Sequence, residues 1–248
     1  MNKPLISVVI PTYKDWDRLK SCIDALNTQS LALSNFEIII VNNDPDDSWP
    51  FSTQDTNIKI LSEYKSGSYA ARNTGINAAK SELIAFTDSD CIPDKYWLER
   101  SIDILKNRTN TILAGEIDLF TSNTNIYFHY ERVFGFPIKK YVSKKNFGVT
   151  ANLIVPKEVI SAIGPFNVSL KSGGDTEFCR RAVKNGFKLR YSPEIRIKHP
   201  ARSDFHTLKQ KARRIGGNIP KNKNTFYVFL LILVKFRLPI SDILYVFH

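Results

Sequence analysis

The chain is expected to fold as an α/β domain whose mainly parallel central sheet is flanked by helices. Three observations predict this. Short unbroken apolar runs such as "LISVVIP" (5–11), "EIIIV" (37–41) and "LIAF" (83–86) read as strands buried on both faces. Segments with apolar residues at helical spacing separate those runs, as crossovers between parallel strands require. The 248 residues, 43% of them hydrophobic, suffice for a substantial core.

The elements follow in order. "LISVVIP" is the first strand, and residues 15–29 carry Leu19, Cys22, Ile23 and Leu26 at helical spacing. "FEIIIVNN" (36–43) and "NIKILSE" (57–63) are the second and third strands, and "GSYAARNTGINAAKS" (67–81) is helical. "ELIAFTDSD" (82–90) is the fourth strand with its exit. A helix over 93–106 opens with Pro93 and Asp94 and places Leu98, Ile102 and Leu105 inward. "TILAGEIDLF" (111–120) is a strand, whereas 125–147 is aromatic and basic with no clear period. Residues 148–167 read as strand, Pro-led short helix and Gly-Pro turn. A helix over 173–187 buries Phe178 and Ala182 and ends at Asn185-Gly186. "KLRYSPEIRIKHP" (188–200) gives two short strands around Ser192-Pro193, and 205–215 is a basic helix. Ligands of such sheets bind beyond the carboxyl ends of the strands, where Asn42, Asn43, Asp88 and Asp90 fall.

Charge is unevenly placed. From Arg180 onward 16 Lys and Arg face 3 Asp and Glu, while residues 1–179 hold 19 against 21. The basic end implies an anionic partner, whether nucleic acid, phosphorylated substrate or anionic membrane. The stretch 225–247 is apolar, but its unbroken run, 226–234, is about half the ~20 residues a span needs. It reads either as an interfacial helix pair on a bilayer or as a helix packed on the core. Cys22, Cys91 and Cys179 are scattered, with no metal or CxxC spacing, which fits a reduced compartment. "MNKPLISVVIPTYKD" does not read as a signal or transit peptide, so a cytoplasmic location is expected.

Asp88 and Asp90 end an apolar strand one residue apart. On extended backbone they point to one side, making a half-site for a hard divalent cation such as Mg²⁺ or Mn²⁺. The alternative is a solvated turn, with Asp94 capping the next helix. Asp175, at the start of a helix, is likewise either a helix cap or a chemical group.

Six motifs in order set these residues in context: "SVVIPTYKD" (7–15), "EIIIVNNDPDD" (37–47), "GSYAARNTGI" (67–76), "IAFTDSDCIP" (84–93), "GVTANLIVPKEVISAIGPFN" (148–167) and "GGDTEFCRRAVKNGFKLRYSPE" (173–194). Together they resemble the inverting family 2 glycosyltransferases with the GT-A fold, over residues 5–216. The resemblance implies a GT-A-like domain over 1–216, with a nucleotide-sugar-binding half (1–106), an acceptor and catalytic half (107–216) and a helical tail (217–248). It implies a nucleotide-sugar donor (a UDP-sugar foremost), Mn²⁺ or Mg²⁺, and a glycan or lipid-linked acceptor; the basic, apolar end of the chain adds an anionic membrane surface as a further partner, and nucleic acid is not expected.

Residue by residue, the resemblance places Pro11, Thr12 and Tyr13 around the nucleotide. Asn42 stands where the family usually has a carboxylate on the base, which loosens the uridine preference; Asp44 is its substitute or a turn former. Arg72 faces the nucleotide, an always-charged planar donor suited to phosphate. Asp90 binds the metal and Asp88 the ribose or the metal, with Ser89 between them on the donor side. His199 is a third metal ligand. Asp175 is the general base, Glu177 binds acceptor or steadies Asp175, and Gly174 replaces the Glu usual before that base. Asn152 contacts acceptor or bonds internally. "QKARR" (210–214) lacks the tryptophan of processive members, which favours single addition. A phosphotransfer enzyme using the paired aspartates would carry them on its first strand rather than its fourth. A nucleic-acid module would show a recognisable binding signature, and the chain shows none.

Overall fold

The computed structural model of the chain describes residues 3–47, 50 and 57–216. The tail expected over 217–248 lies outside the described residues. The chain divides into two compact units, Met1–Leu208 and Lys209–His248.

One eight-stranded sheet runs through the first unit. Its strands are β1 (Ile6–Thr12), β2 (Phe36–Asn42), β3 (Ile58–Ser62), β4 (Leu83–Phe86), β5 (Ile92–Pro93), β6 (Thr111–Phe120), β7 (Leu153–Pro156) and β8 (Lys188–Pro200), in the order β3-β2-β1-β4-β7-β6-β8-β5. The first four strands pair in parallel, with Val9 opposite both Ile39 and Phe86. The expectation of a mainly parallel sheet holds for this half. In the other half β7 runs antiparallel to β4 and β6, and β5 antiparallel to β8, so the sheet is mixed.

Every residue of β1 and β2 is buried, which is why these strands carry continuous apolar runs rather than alternating; the buried Ser7 hydroxyl donates to Glu37 of the neighbouring strand at 2.6 Å. The helices are α1 (Trp16–Asn27), α2 (Ser68–Ala78), α3 (Trp97–Leu105), α4 (Ile126–Phe134), α5 (Ile138–Lys145), α6 (Lys157–Ile163), α7 (Gly174–Lys184) and α8 (Phe205–Gly216). Helix α1 buries Leu19, Cys22, Ile23 and Leu26, each large aliphatic contributing about 1.5–3 kcal/mol. Helix α2 lies so close to β1 that a Cβ at Gly75 would meet Val9 at 2.4 Å, so only glycine fits there.

Three expectations change. The helix expected from Pro93 begins at Trp97, because Ile92 and Pro93 pair with Lys198 and Ile197 of β8. The two short strands expected around Ser192-Pro193 are one strand with a bulge: Ser192 pairs with Gly115 but Arg196 with Glu116, so three residues of β8 swell out. The stretch without clear period holds two helices, α4 and α5. Helix α4 buries Phe128 together with Glu131, the latter fully and against Arg202 at 3.1 Å, while Ile126 and Val133 are exposed, a departure from the usual amphipathic pattern. No helix among the described residues is long and apolar enough to cross a membrane.

Candidate active site

The carboxyl ends of β1, β2 and β4, the start of α7 and the end of β8 supply the residues of interest. Beyond β4 the chain turns at once, and Cys91 N–H donates to the Asp88 carbonyl at 3.1 Å. The turn brings Asp88, Asp90 and Cys91 to His199, with one ligand atom of each lying within 4.8 Å of all the others. Burial raises the Asp90 carboxyl above its ordinary range, His199 opposes that, and Asp88 adds to it. His199 is 6% exposed, and its Nδ1 lies 2.8 Å from the Pro200 carbonyl. A carbonyl only accepts, so Nδ1 donates to it, and Nε2 faces Asp90 Oδ1, 3.7 Å away. A ring fixed in this way by a backbone carbonyl is poised as a metal ligand.

The donor set fits a divalent cation. Two carboxylates suit Mg²⁺ or Mn²⁺, and the imidazole shifts the preference toward Mn²⁺. Cys91 is fully buried, and burial with both aspartates beside it holds its thiol well above the usual range. It is a packed thiol touching Asp90 at 3.9 Å.

Arg72, on the inner side of α2 and 4% exposed, pairs through Nη2 with Asp88 Oδ1. Its Nε, together with the hydroxyls of Thr12 and Thr87, is buried with no hydrogen-bond partner among the described residues. Thr12 ends β1, Thr87 directly follows β4, and Arg72 holds Asp88, so all three sit on elements that lead to the aspartate turn. Pro11 and Thr12 close β1, and Tyr13 follows it with 62% exposure.

Asn42 is already engaged. Its Nδ2 donates to the carbonyls of Asp44 and Asp47, and its Oδ1 accepts from Asp44 N–H at 2.9 Å. The side chain therefore builds the 44–47 turn, in which Asp44 pairs with Lys14 at 3.2 Å. Asn43 does the same for the next loop, bonding Glu63, Lys65 and Gly67. Ser89 donates to Asp15 at 2.9 Å. Asp15 also binds Arg18 at 2.7 Å, and Arg18 reaches Asp90 at 3.4 Å. Sequence reasoning misses Asp15 and Arg18, which flank a helix start and read as ordinary surface residues; no signal there marks their return to the aspartate turn.

Asp175 lies in the first turn of α7, behind Gly173, whose φ of 75° is left-handed. It does not act as the cap residue of that helix. Burial raises its carboxyl; the Thr176 N–H and then Arg72 lower it, and Asp88 raises it further. Arg72 and Asp88 are therefore close enough to act on Asp175 through space. Glu177 is clasped by Arg181 at 2.7 Å, and that guanidinium also donates to the carbonyls of Ile163, Gly164 and Pro165. Glu177 thus stands in a wall of an open groove with Gly173, Thr176, Arg180, Arg181 and Lys184.

For Asn152 the internal alternative is the one observed. The residue is 1% exposed, accepts from Trp97 Nε1 at 2.9 Å, and donates to the carbonyls of Glu116 and Ile195 at 2.8 and 3.1 Å. Both N–H donors of its amide are thereby spent on backbone carbonyls.

The chain resembles known proteins in sequence and in fold. Residues 7–187 match the family described as glycosyl transferase family 2. The chain is 33% identical to glycosyltransferase AglE of Haloferax volcanii over 220 residues, covering 86% of this chain and 72% of that protein. It is 25% identical to the pre-mycofactocin glycosyltransferase of Mycobacterium tuberculosis over 225 residues, 86% of this chain and 46% of that one. The fold matches S. aureus TarS, residues 1–349 in complex with UDP, with a TM-score of 0.60, 16% identity and coverage of 90% of this chain and 68% of that one. The chain belongs to glycosyl transferase family 2 and is a glycosyltransferase.

Proposed function

We propose that the protein transfers a sugar, with inversion, from a nucleoside-diphosphate donor to an acceptor hydroxyl during synthesis of a surface polysaccharide or lipid-linked glycan. One observation carries the reading: Arg72, Asp88, Asp90, His199 and Asp175 converge at one end of the sheet. Asp88, Asp90 and His199 would hold Mn²⁺ or Mg²⁺, which when bound neutralises the donor diphosphate. Arg72 adds fixed positive charge where the leaving diphosphate gains negative charge. Asp175 accepts the proton of the acceptor hydroxyl as its oxygen bonds the anomeric carbon from the face opposite the departing diphosphate. Burial helps, because a raised carboxyl is a stronger base once ionised.

Pro11, Thr12 and Tyr13 line the nucleotide side, with Asp44 presented by the turn that Asn42 holds. Ser89 acts there through Asp15. Gly174 and Glu177 border the acceptor side. A UDP-bound protein of the same fold supports a UDP-sugar donor. The basic, apolar end of the chain supports work at the cytoplasmic face of a membrane, on a lipid-linked acceptor. The test is release of nucleoside diphosphate from a panel of nucleotide sugars, with and without Mn²⁺ or Mg²⁺. Wild-type turnover that needs the ion, and loses about 10²–10⁴-fold in Asp175→Asn, is expected. Unchanged turnover in Asp175→Asn and Asp90→Ala would sink the reading.

A further inference from the structure

Helix α7 begins without a cap of its own. Gly173 precedes it and offers no side chain, so the first N–H groups of the helix need partners from elsewhere. Asp175 Oδ1 takes the Thr176 N–H at 2.9 Å. The Gly174 N–H goes to the phenol of Tyr69, on α2, at 2.8 Å. Tyr69 is 9% exposed, stacks on Phe166 at 5.8 Å, and lies 5.9 Å from the Arg72 guanidinium one turn further along α2. Phe166 in turn packs on Phe178 of α7 at 4.5 Å, so the aromatic contacts run on into the helix that carries Asp175. The fit leaves no room: a Cβ on Gly174 would meet the Tyr69 ring at 2.6 Å.

We infer that Tyr69 is a positioning residue for the transfer reaction, capping α7 from across the site and fixing the carboxylate of Asp175, with Gly174 as its obligate complement. This rests on the proposed role of Asp175 as base. Tyr69 occupies the room that any side chain at position 174 would need. Because it shares one helix turn with Arg72, it also fixes the distance between the base and the group facing the donor diphosphate. The Tyr69 hydroxyl accepts from Gly174 N–H while the ring holds Phe166 and Arg72, so removing the hydroxyl alone should act on turnover rather than on donor binding.

The experiment uses the full chain and four variants, of which one is double. Tyr69→Phe keeps the ring and removes the cap. It is expected to lower kcat about tenfold, with the donor KM changed less than about twofold, since small misplacement of a catalytic group is costly. In the same variant, amide hydrogen exchange at Gly174 should accelerate about fivefold or more, matching loss of about 1 kcal/mol of hydrogen bonding. Gly174→Ala should lower kcat at least as much, and in a Tyr69→Leu background the same alanine should cost almost nothing further, because the clash is gone. Additive losses, or unchanged kcat and exchange in Tyr69→Phe, would overturn the inference. The two proposals fail separately: an active Asp175→Asn removes the base but leaves the exchange result and the steric coupling to be read by thermal stability.

Discussion

Replacing Asn152 by the nearly isosteric leucine should destabilise the fold by about 3–6 kcal/mol. The structure sets this magnitude. The substitution strands one indole N–H, of Trp97, and two carbonyls, of Glu116 and Ile195, in an interior where Asn152 is 1% exposed. A buried polar group left without a partner costs ~1–3 kcal/mol, and the lower half of the range applies because strand carbonyls can tilt toward other donors. Against a usual domain stability of about 5–15 kcal/mol the loss is large. Relaxation toward the variant is limited, because Gly115 lies so near that a Cβ there would already meet Asn152 and the Ile195 carbonyl. The two carbonyls border the bulge that precedes His199, so Mn²⁺ affinity should fall with stability. Urea unfolding with matched m-values reads the first effect, and titration of the folded variant with Mn²⁺ the second. A loss below about 1 kcal/mol would refute the view of Asn152 as a buried node.

Three further outcomes are expected. Asp175 has its folded pKa raised by burial, so its ionised form is disfavoured in the fold; stability falls as pH rises from the unfolded value through the folded one. Asp175→Asn should therefore melt higher than wild type at neutral pH while losing turnover, and a lower melting temperature would contradict the burial argument. His199→Ala and Asp90→Asn should each weaken Mn²⁺ binding by tenfold or more, measured calorimetrically without donor, whereas Cys91→Ala should leave it within about threefold. All three thiols are buried, with Cys179 pushed up to about 12, so a thiol reagent should label the native chain only at the rate of unfolding. Rapid labelling in native buffer would show that one of them is exposed.

The elements most legible in the sequence are those whose burial is uniform. β1 and β2 read correctly because both faces are covered, and α1 because its buried side is wholly apolar. Helix α4 is hidden because its pattern is mixed: its buried face carries Glu131, paired with Arg202, beside Phe128, and its exposed face carries Ile126 and Val133. No periodicity of apolar residues can reveal a helix whose buried side is partly ionic. At the site, Asp88, Asp90, His199 and Asp175 are legible as chemically distinctive residues next to strand or helix ends. Tyr69 is not, because its role depends on the absence of a side chain 105 positions away. Asn42 and Asn152 are legible as placed but not as employed, since hydrogen-bond capacity is spent on backbone that only the fold brings near.

The two-residue strand β5 has a consequence out of proportion to its length. It begins two residues after Asp90 and is laddered to Ile197 and Lys198, the residues just before His199. The main chain therefore sets the spacing of a carboxylate and an imidazole that are far apart in the sequence, before any ion arrives. Such a gap behaves as a gauge with little give. It should accept ions of the radius of Mn²⁺ with almost no change in heat capacity, and discriminate against larger Ca²⁺, whose longer bonds would require the ladder to part.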